Sequence, residues 1–158
     1  MDLTEVFQAL GRSSLQELVE GVSMGRLRTY DVYESFKVRA HLSKLNRERL
    51  RRSVPRLWDR LMQGEQDLAH ELAQGILVSN LPFVVEVLDF LEIEHDGSGF
   101  FDKNSAAAKE LEDGWQARVF EQFRRRCSES LIVLYTNHLA GELDRSSAIF
   151  LPAGPTRE

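Results

Sequence analysis

The sequence predicts an all-α fold, a compact single-domain bundle of about six to eight helices with short connections. Three observations predict it. Apolar residues recur at spacings of three and four along most of the chain, the period of a helix with one buried face. Residues suited to cap a helix N-terminus stand just before these stripes. No segment has a convincing strand alternation; 131–135 could extend, but nothing else offers it a partner strand. With 158 residues, 42% of them hydrophobic, the chain is long enough to bury roughly two-thirds of its unfolded surface. Residues 1–143 are expected to form the domain, and 144–158, with Pro152, Gly154 and Pro155, a flexible tail.

Element by element, Asp2 can cap a short helix over 3–10. Ser14 and Glu17 have capping-box spacing, and Leu15, Leu18, Val19 and Val22 form an apolar stripe. Gly21 and Gly25 make 21–28 a connection. Thr29 can cap a helix to about Lys44, with Val32, Tyr33, Phe36 and Ala40 on one side and Val38, Leu42 and Leu45 on another. Asn46 can cap the next helix, whose stripe of Leu50, Val54, Leu57, Trp58 and Leu61 is the cleanest in the chain. Pro55 lies within it and removes a backbone donor, so a kink or a restart capped by Ser53 is expected there.

Gly64 ends that element, and Leu68, Leu72, Ile76 and Leu77 predict a helix over 65–79. Asn80 can cap another over about 81–93, with Pro82 in its first turn, where a missing N–H does no harm. Its apolar residues cover a wide arc, which marks it as the central core helix. Residues 95–104, with Gly97 and Gly99, read as a loop. Asn104 or Ser105 opens a long helix to about Cys127, and Ser128 starts a last one over about 129–143.

Charge is segregated along this scaffold. Between residues 37 and 60 stand nine basic residues (Lys37, Arg39, Lys44, Arg47, Arg49, Arg51, Arg52, Arg56 and Arg60) and two acids, Glu48 and Asp59. The preceding stretch has three basic and six acidic residues, and the following one eight and seventeen. Charge therefore runs −3, +7, −9 within a net of −5, and a block of one sign on an opposite background marks a contact surface. Arg49, Arg52, Arg56 and Arg60 line up at spacings of three and four, almost opposite Leu50, Leu57 and Leu61. Such a row fits an acidic protein surface, a second copy of the chain, successive phosphates, or a solvated outer face matched by acidic segments of the same fold. Few aromatic residues interleave the charges to stack on bases, and Pro55 interrupts the row, so a protein partner is preferred to nucleic acid.

Other patterns carry less. A helix-turn-helix around 68–79 fails because the would-be recognition helix carries Glu86, Asp89, Glu92 and Glu94 and no Lys or Arg. The loop after it resembles part of an EF-hand, with Glu94, Asp96, Ser98 and Asp102 at the first, third, fifth and ninth positions. Ser105 stands at the twelfth, where calcium needs a bidentate carboxylate, so a plain connection is expected and no family is identified. Asp67 with His70, and Glu92 with His95, are spaced by three residues; His70 falls on the solvent side of its helix and His95 at a helix end. His138 and Glu142, one turn apart at the edge of the last apolar face, are the candidate ligand pocket. Cys127 follows Arg124, Arg125 and Arg126, but shares a stripe with Phe120 and Phe123 and reads as a small core residue.

There is no Gly-rich phosphate loop, nucleophile elbow or His-Glu-x-x-His sequence, and no catalytic residue, metal or cofactor is assigned. One cysteine excludes a disulfide framework, no apolar run approaches the roughly 20 residues of a membrane span, and the N-terminus lacks signal-peptide order. A cytoplasmic protein with no membrane partner is expected. The function expected is a small non-catalytic helical interaction module that self-associates or docks an acidic protein through the basic face at 37–60. The alternatives are polyanion binding through Arg49, Arg52, Arg56 and Arg60, and a ligand- or metal-binding helical enzyme centred on His138 and Glu142.

Overall fold

A computed structural model describes residues 2–23, 47–97, 99–102, 104–144 and 148–152. The helix expected over 29–44, the caps Thr29 and Asn46, and Lys37, Arg39 and Lys44 of the basic segment lie outside these residues. The fold is all-α. The described residues contain eight helices: α1 Leu3–Leu10, α2 Arg12–Glu20, α3 Arg47–Met62, α4 Gln66–Ser79, α5 Leu81–Phe90, α6 Ala106–Lys109, α7 Trp115–Phe123 and α8 Glu129–Glu142. Their one extended pairing is an isolated antiparallel bridge between His95 and Phe101. None of these helices is by itself long and apolar enough to cross a membrane. The chain divides into two compact units, Asp2–Leu81 and Pro82 onward.

In the first unit, Asp2 caps α1 as expected, its Oδ1 accepting the Thr4 N–H at 2.9 Å. Gly11 then closes α1 through its N–H to the Phe7 carbonyl (3.0 Å) and, at φ 96°, turns the chain straight into α2. α2 therefore starts at Arg12, and Ser14 and Glu17 lie inside it instead of forming a capping box. α3 runs unbroken through Pro55. Ser53 does not cap a restart: its buried hydroxyl donates to the Leu50 carbonyl at 2.6 Å, one turn back. Leu50, Val54, Leu57 and Leu61 are buried and Trp58 half-buried, so the stripe read from the sequence is the packed face. α4 buries Leu68, Leu72, Ile76 and Leu77. α1 packs on α2, α3 and α4, and α3 packs on α2 and α4. Leu15, Leu61, Leu72 and Ile76 are wholly enclosed, each contributing about 1.5–3 kcal/mol of burial. Gln8 Nε2 donates to the Leu61 carbonyl (2.9 Å), and the Ser23 N–H donates to Ser79 Oγ (2.8 Å), pinning the chain after α2.

From the end of α4 onward the chain departs further from expectation. Asn80 does not cap α5; its Nδ2 donates to the Ile76 carbonyl (2.7 Å) and closes α4. α5 ends at Phe90, and Glu92 takes φ 61° as the chain reverses. The long helix expected from 105 to 127 is two pieces. Ser105 Oγ caps α6 by accepting the Ala108 N–H (3.3 Å), and Gly114, at φ 85°, starts α7. α8, capped by Ser128, is the most buried helix, since every residue from 131 to 137 is enclosed. It carries no Asp, Glu, Lys or Arg between Glu129 and Glu142, whereas α5 must keep Glu86 and Asp89 exposed. The rings of Phe83, Phe90, Phe123 and Tyr135 meet edge to face at 5.6–5.9 Å. One point of the expected tail is fixed. The Asn137 side chain accepts the Phe150 N–H (2.8 Å) and donates to its carbonyl (3.0 Å).

Candidate functional site

The basic face is built on α3. Burial of Leu50, Val54, Leu57 and Leu61 fixes the roll of the helix, and Arg49, Arg52, Arg56 and Arg60 are left on its exposed side. The structure thus keeps the row continuous across Pro55. Local acids engage parts of it. Arg52 Nη2 lies 2.9 Å from Glu48 Oε2 one turn back, and Arg60 donates to Glu65 Oε1 through Nε (3.0 Å) and Nη2 (2.8 Å). This hydrogen bond raises the Arg60 guanidinium above its ordinary pKa and lowers the Glu65 carboxyl. Arg51, beside the row, reaches Glu20 of α2 at 3.3 Å. Arg56 has no ion pair or hydrogen bond among the described residues. Together with Arg49, Arg52 and Ser53 it lines a cavity of about 290 Å³.

His138 and Glu142 stand one turn apart on α8 as the spacing predicts, with Nδ1 3.5 Å from Oε1. That approach counts as an ion-pair distance, but it is too poor a hydrogen bond to satisfy Nδ1, which stays enclosed and unpaired. The His138 ring stacks on Tyr135, with centroids 6.5 Å apart. Burial raises the Tyr135 phenol well above its ordinary pKa, so it stays protonated. The two candidates do not share a cavity wall. A cavity of about 340 Å³ is lined by Glu142, Gly141 and Asp144 with Gly99, Phe100 and Phe101, and His138 is not part of that lining.

Among the described residues no three His, Cys, Asp or Glu side chains come together to hold a metal. In the 94–105 loop, Asp96 Oδ1 accepts the Phe100 N–H (3.2 Å) and Asp102 Oδ1 the Asn104 N–H (2.9 Å), so these carboxylates serve the turns. Ser98 lies outside the described residues. His95 pairs with Asp89 (2.7 Å) instead of Glu92, because the reversal at Glu92 carries it back along α5. Its Nδ1 accepts the Gly97 N–H at 3.0 Å. His70 is exposed, as its helix face predicts. Cys127 is half-buried in the turn after α7 and not in the core, where the sequence places it; desolvation still raises its thiol above its usual pKa and outweighs the opposite pull of Arg126. The sequence reading missed Phe100, which is 71% exposed on the rim of the loop. It follows Gly99 in a turn with no periodic partner, so helical patterning could not place it. Compared with known protein families, curated proteins and solved structures, the chain matches none.

Proposed function

We propose that this protein is a small non-catalytic helical module that engages an acidic protein surface through Arg49, Arg52, Arg56 and Arg60. One observation carries the reading: four guanidiniums share an exposed face opposite a packed stripe, and Arg56 among them lacks a counter-ion among the described residues. Guanidinium forks match carboxylates two bonds at a time. The existing pairs do not block this. Exposed pairs such as Arg52–Glu48 contribute about 0–1 kcal/mol, so a partner's carboxylates displace them at little cost. Nucleic acid is the weaker reading, because few aromatic side chains interleave the row to stack on bases.

Fluorescence anisotropy with labelled poly-glutamate, duplex DNA and single-stranded RNA over a range of salt concentrations tests the proposal. Poly-glutamate is expected to bind at low salt and to weaken as salt rises. No binding of poly-glutamate, or tighter binding of either nucleic acid, would overturn it.

A further inference from the structure

Asn137 is wholly enclosed in α8, inside a run without charged residues. One of its amide hydrogens serves its own helix, at the Val133 carbonyl (2.8 Å). The rest of the amide serves another stretch of chain: Nδ2 donates to the Phe150 carbonyl (3.0 Å) and Oδ1 accepts the Phe150 N–H (2.8 Å). One amide that pairs with both backbone groups of one residue makes the contact a neighbouring strand would make, whatever that residue's side chain. The side chain is read separately. The Phe150 ring meets the buried Phe120 ring of α7 edge to face, with centroids 6.5 Å apart. α7 and α8 pack on each other, so helix packing holds this seat in place.

The segment that fills the seat is held less firmly than the seat itself. Among the described residues, 148–152 form hydrogen bonds only through Phe150. Ala148 and Leu151 are exposed, and Ile149 and Pro152 half-buried. A segment pinned at one residue opens locally more readily than the helices beneath it. Its departure leaves Asn137 short of two partners inside the protein, so the seat favours being refilled by backbone that offers the same two groups. We propose that Asn137 and Phe120 form a binding site for an extended segment of a partner protein, in which phenylalanine stands between aliphatic residues, and that residues 148–152 are its built-in competitor. The chain's own Ala-Ile-Phe-Leu-Pro defines that chemistry: Ile149 and Leu151 flank the phenylalanine, and Pro152 favours an extended Leu151. The site is independent of the α3 row, which lies in the other unit.

Fluorescence anisotropy with labelled acetyl-Ala-Ile-Phe-Leu-Pro-amide tests it on full-length wild type, Phe150→Asp and the milder Phe150→Ala, with helicity checked in each. Neither replacement supplies the ring, so both variants leave the seat open. Each is expected to bind the peptide about tenfold more tightly than wild type, because the competitor is removed. The peptide is uncharged, so its affinity should not follow salt, unlike that of poly-glutamate. The same peptide N-methylated at phenylalanine lacks the donor for Asn137 Oδ1 and should bind the variants about tenfold more weakly. No binding to the folded variants, equal affinities for variants and wild type, or indifference to N-methylation would overturn the proposal. So would a wild type that sediments as a dimer lost in Phe150→Asp, since a second copy's own 148–152 would then be the occupant.

Discussion

Asn137 is fully buried, and three hydrogen bonds hold its amide: to the Val133 carbonyl (2.8 Å) and to both backbone groups of Phe150. Asn137→Ala would leave the Phe150 backbone unpaired and is expected to cost about 1–3 kcal/mol in denaturant unfolding. An unchanged midpoint would show that the anchor contributes nothing. Tyr135, enclosed in the same helix, keeps its proton because burial penalises the phenolate. The unfolded chain ionises this group near pH 10, so the stability it confers is complete below about pH 10 and is lost as pH rises above it. Tyr135→Phe is therefore expected to unfold less steeply in alkali than wild type. Parallel curves would contradict the burial argument. An amide within an uncharged apolar run is a sequence sign of a buried polar anchor. Its partner, thirteen residues on, is not readable, since no helical spacing links a side chain to a returning strand of coil.

Among the elements, α3 shows what periodicity can and cannot fix. Its apolar stripe predicts the buried face residue by residue, because every member must face the same neighbours. The fate of Pro55 is decided by packing: burial of Leu50, Val54, Leu57 and Leu61 along one continuous face outweighs the lost hydrogen bond. Pro55 is exposed, and an alanine N–H there could bond the Arg51 carbonyl. Pro55→Ala is thus expected to raise stability by about 1–3 kcal/mol in chemical denaturation; a loss would mean that the proline conformation is needed. Two of the helix boundaries misplaced by pattern alone turn on glycine. Gly11 starts α2 ahead of the capping box, and Gly114 divides the stripe that runs from Leu111 to Cys127. The Asp113-Gly114 pair is a readable turn signal, but the unbroken apolar period hides it.

For the whole molecule, the segregation of charge is plain in the residue order, whereas the pairing of charges is not. Glu48 meets Arg52 through helical spacing alone, but Glu20 reaches Arg51 only because α2 packs on α3. The division at Leu81–Pro82 has no composition shift to announce it. The arginine row and the cavity at Glu142 belong to different units. On the proposed reading, the outward guanidiniums of α3 serve a partner's carboxylates. The most direct test is the affinity of labelled poly-glutamate for wild type and Arg56→Glu at low salt, with helicity checked in both. A loss of about tenfold, shrinking as salt rises, is the expected result. Equal affinities with both proteins folded would contradict it.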